Sequence, residues 1–136
     1  MRLLLDTECW LWSVREPDRL NQRAKELIDD PATELYLSVA SIWEIIIKNQ
    51  IGKLPLPKAP EDYIPGLLQL QQTKTLMITP SHVYQLPKLP LLHRDPFDRL
   101  LIAQALTENF TLLTTDKLIR QYKPPLIWAA RRRPKA

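Results

Sequence analysis

The sequence predicts an α/β fold in which a parallel sheet is covered by helices on both faces. Two observations carry this. Short β-favouring runs alternate with helical segments along the whole chain, the pattern of successive strand–helix–strand units. The first run, RLLL at 2–5, is apolar almost throughout, as strands buried on both faces are. A third observation bounds the size: 136 residues with 45% hydrophobic composition suit one domain with a real core.

The elements follow in order. Residues 7–14 (TECWLWSV) place Trp10 and Val14 at helical spacing, and Pro17 and Asp18 break that helix. Asn21 to Ile28 is helical by composition, and 34–39 (ELYLSV) is a second strand. Ser41 is expected to open a strong helix, SIWEIIIKNQ, that closes near Gly52. Three prolines in 54–60 mark a rigid connector. Glu61 to Gln72 is amphipathic, though Pro65 and Gly66 weaken its start. Residues 75–79 are a third strand, 80–86 a short helix with proline in its first turn, and 87–95 an irregular loop. Pro96 to Glu108 is the cleanest helix, and its LLIAQAL stretch indicates near-complete burial. Residues 111–114 are a fourth strand, 116–121 a short helix and 126–128 a fifth strand. Right-handed crossovers put the C-terminal ends of all parallel strands on one edge, where open α/β sheets bind ligands.

Composition narrows the function classes. The formal charge of +4 favours a polyanionic partner. Part of it lies in Arg131, Arg132, Arg133 and Lys135, so 1–128 reads as the domain and 129–136 as a basic tail, expected to be flexible. One cysteine, Cys9, excludes an intrachain disulfide and a multi-cysteine zinc site, and is expected to be packed. Two glycines leave no room for a GxGxxG or phosphate-loop motif. No apolar run approaches the ~18 residues of a membrane span, and a reducing cytoplasmic setting is expected.

Four carboxylates carry the chemistry: Asp6 and Asp116 directly after strands, Glu44 and Asp98 near helix starts. Each has a plain structural account. Asp6 and Asp116 suit helix N-caps. Ser41 and Glu44 form an S-x-x-E capping-box pattern. Asp95 suits an N-cap ahead of Pro96, with Asp98 favoured by the helix dipole. Converging on one sheet edge without a cation, four carboxylates would repel one another and destabilise the fold. Carboxylate oxygens with no histidine or cysteine cluster suit Mg²⁺ or Mn²⁺. Of the two histidines, His93 lies nearer the candidate site and suits a structural hydrogen-bond donor. Arg94 and Arg99 are candidate phosphate contacts, or partners of Asp95 and Asp98.

RLLLDT, SIWEIIIKNQIGKLPL, LPLLHRDPFDRLLIAQAL and LLTTDKLIRQY together resemble the PIN domain, specifically VapC-like toxins of bacterial type II toxin–antitoxin pairs. The resemblance implies a three-layer α/β/α fold with a five-stranded parallel sheet in 3-2-1-4-5 order. It implies an Mg²⁺- or Mn²⁺-dependent endoribonuclease with Asp6, Glu44, Asp98 and Asp116 as its acidic quartet. Asp6 and Asp98 would be direct ligands, with Glu44 or Asp116 as general base. Thr114 matches a hydroxyl residue that supports the last acid. Glu8 stands where the subgroup commonly has histidine. A cognate antitoxin that covers the site and a toxin homodimer are also implied, and 41–50 and 61–72 offer apolar surface either for a partner or for the sheet. The alternatives are a DNA-directed phosphodiesterase, a non-catalytic RNA-binding module, and a structural protein with capped helices.

Overall fold

The structure is a computed structural model that describes residues 1–122 and 124–131. Five parallel strands form one sheet in the order β3-β2-β1-β4-β5: β1 (Arg2–Leu5), β2 (Glu34–Ser38), β3 (Lys74–Leu76), β4 (Thr111–Thr114) and β5 (Leu126–Trp128). Central β1 pairs Leu5 with Leu37 on one side and with Leu113 on the other. The helices are α1 (Thr7–Arg15), α2 (Gln22–Asp29), α3 (Val39–Gln50), α4 (Pro60–Leu70), α5 (Pro80–Gln85) and α6 (Pro96–Glu108).

The two-residue period of β1 divides its leucines between two cores. Leu3 and Leu5 join Trp10, Ala24, Ile45, Ile64 and Leu68 on the face covered by α1 to α4. Leu4 joins Leu101, Ile102, Ala105 and Phe110 on the face covered by α6. A strand buried on both faces has to be apolar at every position, which is why RLLL shows no alternation. Ile64 and Leu68 bury the inner stripe of α4, so this helix covers the sheet, while Leu70 stays exposed. Cys9 is packed in the first core, and burial pushes its thiol pKa well up.

Several boundaries differ from the sequence expectation. Helix α3 starts at Val39, because the Ser38 hydroxyl accepts the Ala40 N–H and turns β2 into α3 without a loop. Ser41 is therefore inside the helix, buried, and accepts a 2.9 Å hydrogen bond from the Thr7 hydroxyl. The expected capping box does not form, and Glu44 lies in the second turn. Strand β3 ends at Leu76, short of 79, because Thr79 is taken up in a capping box with His82. The expected helix at 116–121 is a turn followed by a 3₁₀ segment, Ile119–Gln121. Ala129 is buried and donates its N–H to the Thr114 carbonyl, and Ala130 bridges Leu20. Ordered structure thus runs past 128, and 132–136 of the expected tail lie outside the described residues.

Candidate active site

The sheet edge formed by the C-terminal ends of β1, β2 and β4 opens into a cavity of about 370 Å³. Asp6, Glu44, Asp98 and Asp116 all line it, joined by Glu8 and Asp95. Asp6 stops β1 and caps α1: Oδ1 accepts the Cys9 N–H at 2.7 Å. Its Oδ2 accepts the Thr114 hydroxyl at 2.6 Å and the Thr115 N–H at 3.0 Å. Burial nevertheless raises its pKa, against those three donors. The capping account of Asp6 is correct and does not remove it from the site.

Asp95 is the N-cap of α6, and its Oδ1 accepts the Phe97 and Asp98 N–H groups. That leaves the Asp98 side chain free to face the cavity. Burial, then the charges of Asp95, Glu44, Asp116 and Asp6, push its pKa up to about 8. Asp116 goes the other way. Partial burial disfavours its charge, but donors from Leu118, His93 and Ile119 hold its pKa below the usual value. Here the sequence expectation for Asp116 is refined: Oδ1 organises a turn through the Leu118 and Ile119 N–H groups, as Asx side chains do.

His93 joins these two acids. Its Nε2 lies 2.9 Å from Asp98 Oδ2 and 3.2 Å from Asp116 Oδ2. Nδ1 accepts the Asp95 N–H at 3.1 Å, so Nε2 carries the proton that the ring donates to the two carboxyl groups. The three residues present ligand atoms within 4.8 Å of one another. Both ring nitrogens are engaged, which makes His93 the brace of the acids.

Thr114 was expected to support the last acid. Its hydroxyl proton goes to Asp6, and its oxygen accepts the Asp116 N–H at 3.0 Å, so it serves the first and last acids together. Glu8 stands at the rim, largely exposed, where partial desolvation followed by the Asp6 charge raises its pKa. Arg99 does not pair with Asp95 or Asp98. It donates to the carbonyls of Leu86 and Pro90 and to Tyr122 Oη, at 3.0, 3.1 and 3.4 Å, which commits it to the loop before α6. Arg94 is exposed and does not line the cavity.

Glu44 is buried, and Oε2 meets Lys48 Nζ at 2.7 Å. Desolvation works against the Lys48 charge, but Glu44, Asp95 and Asp98 leave its pKa raised. Glu44 Oε1 and Thr115 Oγ1 are buried without a hydrogen-bond partner among the described residues. Orphaned oxygens in an acidic cavity are costly in the absence of a ligand. They fit a hard divalent cation with its water shell, and the oxygen-rich donor set agrees.

The family model of the PIN domain matches residues 3–123. The chain belongs to the PIN domain family. It is 32% identical over 128 residues to "Ribonuclease VapC22" of Mycobacterium tuberculosis, covering 90% of this chain and 93% of that protein. Its PIN fold is shared with VapBC2 from Rickettsia felis, solved bound to a DNA fragment from their promoter. That match has TM-score 0.69, 15% identity, and covers 93% of this chain and 96% of the other. VapBC-1 from nontypeable Haemophilus influenzae aligns with TM-score 0.60 at 20% identity, over 89% and 91% of the two chains. Sequence reading of this PIN domain had His93 near the site as a structural hydrogen-bond donor, as found, but missed two things: which acids it joins, and Lys48. The spacing of Glu44 and Lys48, four apart on one helix, was the available signal for the second.

Proposed function

We propose that this PIN domain is a metal-dependent endoribonuclease and the toxin of a type II toxin–antitoxin pair. The observation that carries the reading is the convergence of Asp6, Glu44, Asp98 and Asp116 on one cavity, with Glu44 Oε1 buried and unpartnered among the described residues. The ribonuclease name of the Mycobacterium tuberculosis relative supports RNA as substrate. The VapBC complexes support an antitoxin partner. A homodimer and a cytoplasmic setting belong to the same reading; among the described residues no helix is long and apolar enough to cross a membrane.

Asp6 and Asp98 would hold Mg²⁺ or Mn²⁺ directly, with Glu44 and Asp116 completing the set. A bound divalent cation supplies charge to the scissile phosphate and a water of lowered pKa. The protein's part is placement. Thr114 and Thr115 fix the second oxygen of Asp6, and the Cys9 N–H fixes the first. His93 Nε2–H holds Asp98 and Asp116 together against their mutual repulsion.

The test is Mn²⁺-supplemented cleavage of matched RNA and DNA strands by wild type and Asp6→Asn. Asparagine caps a helix as well as aspartate does, so the Cys9 N–H keeps its acceptor and α1 its cap, while the charge and the second acceptor oxygen facing Thr114 and Thr115 are lost. Cleavage of RNA by wild type, reduced at least about a hundredfold in Asp6→Asn, is expected for a direct ligand. Undiminished cleavage by the variant would sink the assignment, and preference for DNA would redirect the substrate.

A further inference from the structure

The acidic cavity has a basic wall that the quartet does not explain. Among the described residues, six carboxyl-bearing residues line the cavity, and only two cations do so, Lys48 and Lys53. Their placement is built by the end of α3. Gly52 takes φ +77°, where a side chain is strained, and turns the chain back on the helix. The Lys53 and Leu54 N–H groups then both donate to the Lys48 carbonyl, at 2.9 and 3.1 Å. Lys53 is thereby brought to the same wall as Lys48, five residues earlier.

Lys48 is unlike an ordinary surface helix pair. Its side chain is 48% exposed while that of Glu44 is 8% exposed, so the ammonium reaches inward from solvent to a buried oxygen at 2.7 Å. The other Glu44 oxygen has no hydrogen-bond partner among the described residues. A cation at the quartet would share the Glu44 carboxylate and repel the ammonium beside it. The displaced ammonium would stand at the cavity wall, a flexible point-charge donor suited to a phosphate oxygen. Arg99 cannot supply that contact, being spent on the carbonyls of Leu86 and Pro90.

We propose that Lys48 and Lys53 bind the phosphate of the substrate strand. Lys48 does so by exchanging its Glu44 partner for a phosphate oxygen when a divalent cation takes up that carboxylate. The proposal rests on the ribonuclease reading of the quartet.

The experiment compares wild type, Lys48→Met and Lys48→Met/Lys53→Met in two binding measurements. Mn²⁺ binding is followed by calorimetry without nucleic acid. Binding of a short labelled single-stranded RNA is followed by anisotropy in Ca²⁺ over a range of salt. Lys48→Met is expected to bind Mn²⁺ about fivefold tighter, because a competing charge is gone. It is expected to bind the RNA about tenfold more weakly, with the salt slope reduced by roughly 0.7 for each lysine removed. Lys48→Arg should keep the RNA affinity. Lys48→Gln, which keeps a donor toward Glu44, stands in should the methionine perturb folding. Unchanged RNA affinity and slope, or weaker Mn²⁺ binding in Lys48→Met, overturns the exchange and leaves the pair a helix-surface contact. A wild-type chain that takes up neither Mn²⁺ nor RNA overturns the ribonuclease reading and this proposal together.

Discussion

Thr114 Oγ1 donates a 2.6 Å hydrogen bond to Asp6 Oδ2 across 108 positions of sequence. The same oxygen accepts the Asp116 N–H, so its proton is committed to Asp6. One hydroxyl therefore joins the ends of two central strands and sets two acids of the site.

Thr114→Val keeps the shape and removes the hydroxyl. It deprives buried Asp6 of its shortest donor and leaves the Asp116 N–H without that acceptor. The expected cost is about 1–3 kcal/mol of stability, measured by urea unfolding. Weaker Mn²⁺ binding by calorimetry should accompany it, and Thr114→Ser should recover most of both. Wild-type stability and affinity in the valine variant would show that the hydroxyl is incidental.

Legibility in the sequence followed the range of the interaction. The strand–helix alternation gave parallel architecture because it reports burial, and burial decides both period and pairing. The edge position of Asp6 and Asp116 could be read for the same reason: each directly follows a run that has to be a strand. Glu44 was placed in the site but one turn too early, since Ser38 and Ser41 are equally good caps on paper. What separates them is a tertiary bond, Thr7 to Ser41, and no local pattern reports it. The two acids that His93 joins were similarly hidden, because Asp98 and Asp116 meet it only after the loop before α6 folds.

That loop depends on Arg99. The guanidinium ties the Leu86 and Pro90 carbonyls and Tyr122 Oη, while Tyr122 Oη also accepts the Leu92 and His93 N–H groups. Arg99→Met preserves the stem and removes the donors. We expect a loss of about 2–3 kcal/mol in urea unfolding and weaker Mn²⁺ binding as His93 loses its anchor. The salt slope of RNA binding should not change, which separates this role from a phosphate contact. A reduced slope with intact stability would return Arg99 to the RNA surface.

The acids also set a pH dependence, and its sign follows from Asp98. The folded pKa of Asp98 is about 8, against an ordinary value of 3.8. A raised folded pKa means that the proton is bound more tightly in the folded state. The stability it contributes is complete below about pH 4 and is lost as pH rises through about 8. Asp6, also raised, acts in the same direction, while Asp116, lowered, contributes above its ordinary 3.8 and loses that contribution as pH falls. Metal-free protein in EDTA should therefore lose part of its thermal stability between about pH 4 and about pH 8, and Asp98→Asn should flatten that fall. A divalent cation favours the ionised carboxylate. Mn²⁺ binding near neutrality should then release about one proton, read by calorimetry in buffers of different ionisation enthalpy. The release should vanish in Asp98→Asn. An equal fall of stability in both proteins, or Mn²⁺ binding without proton release in wild type, would place the raised group elsewhere.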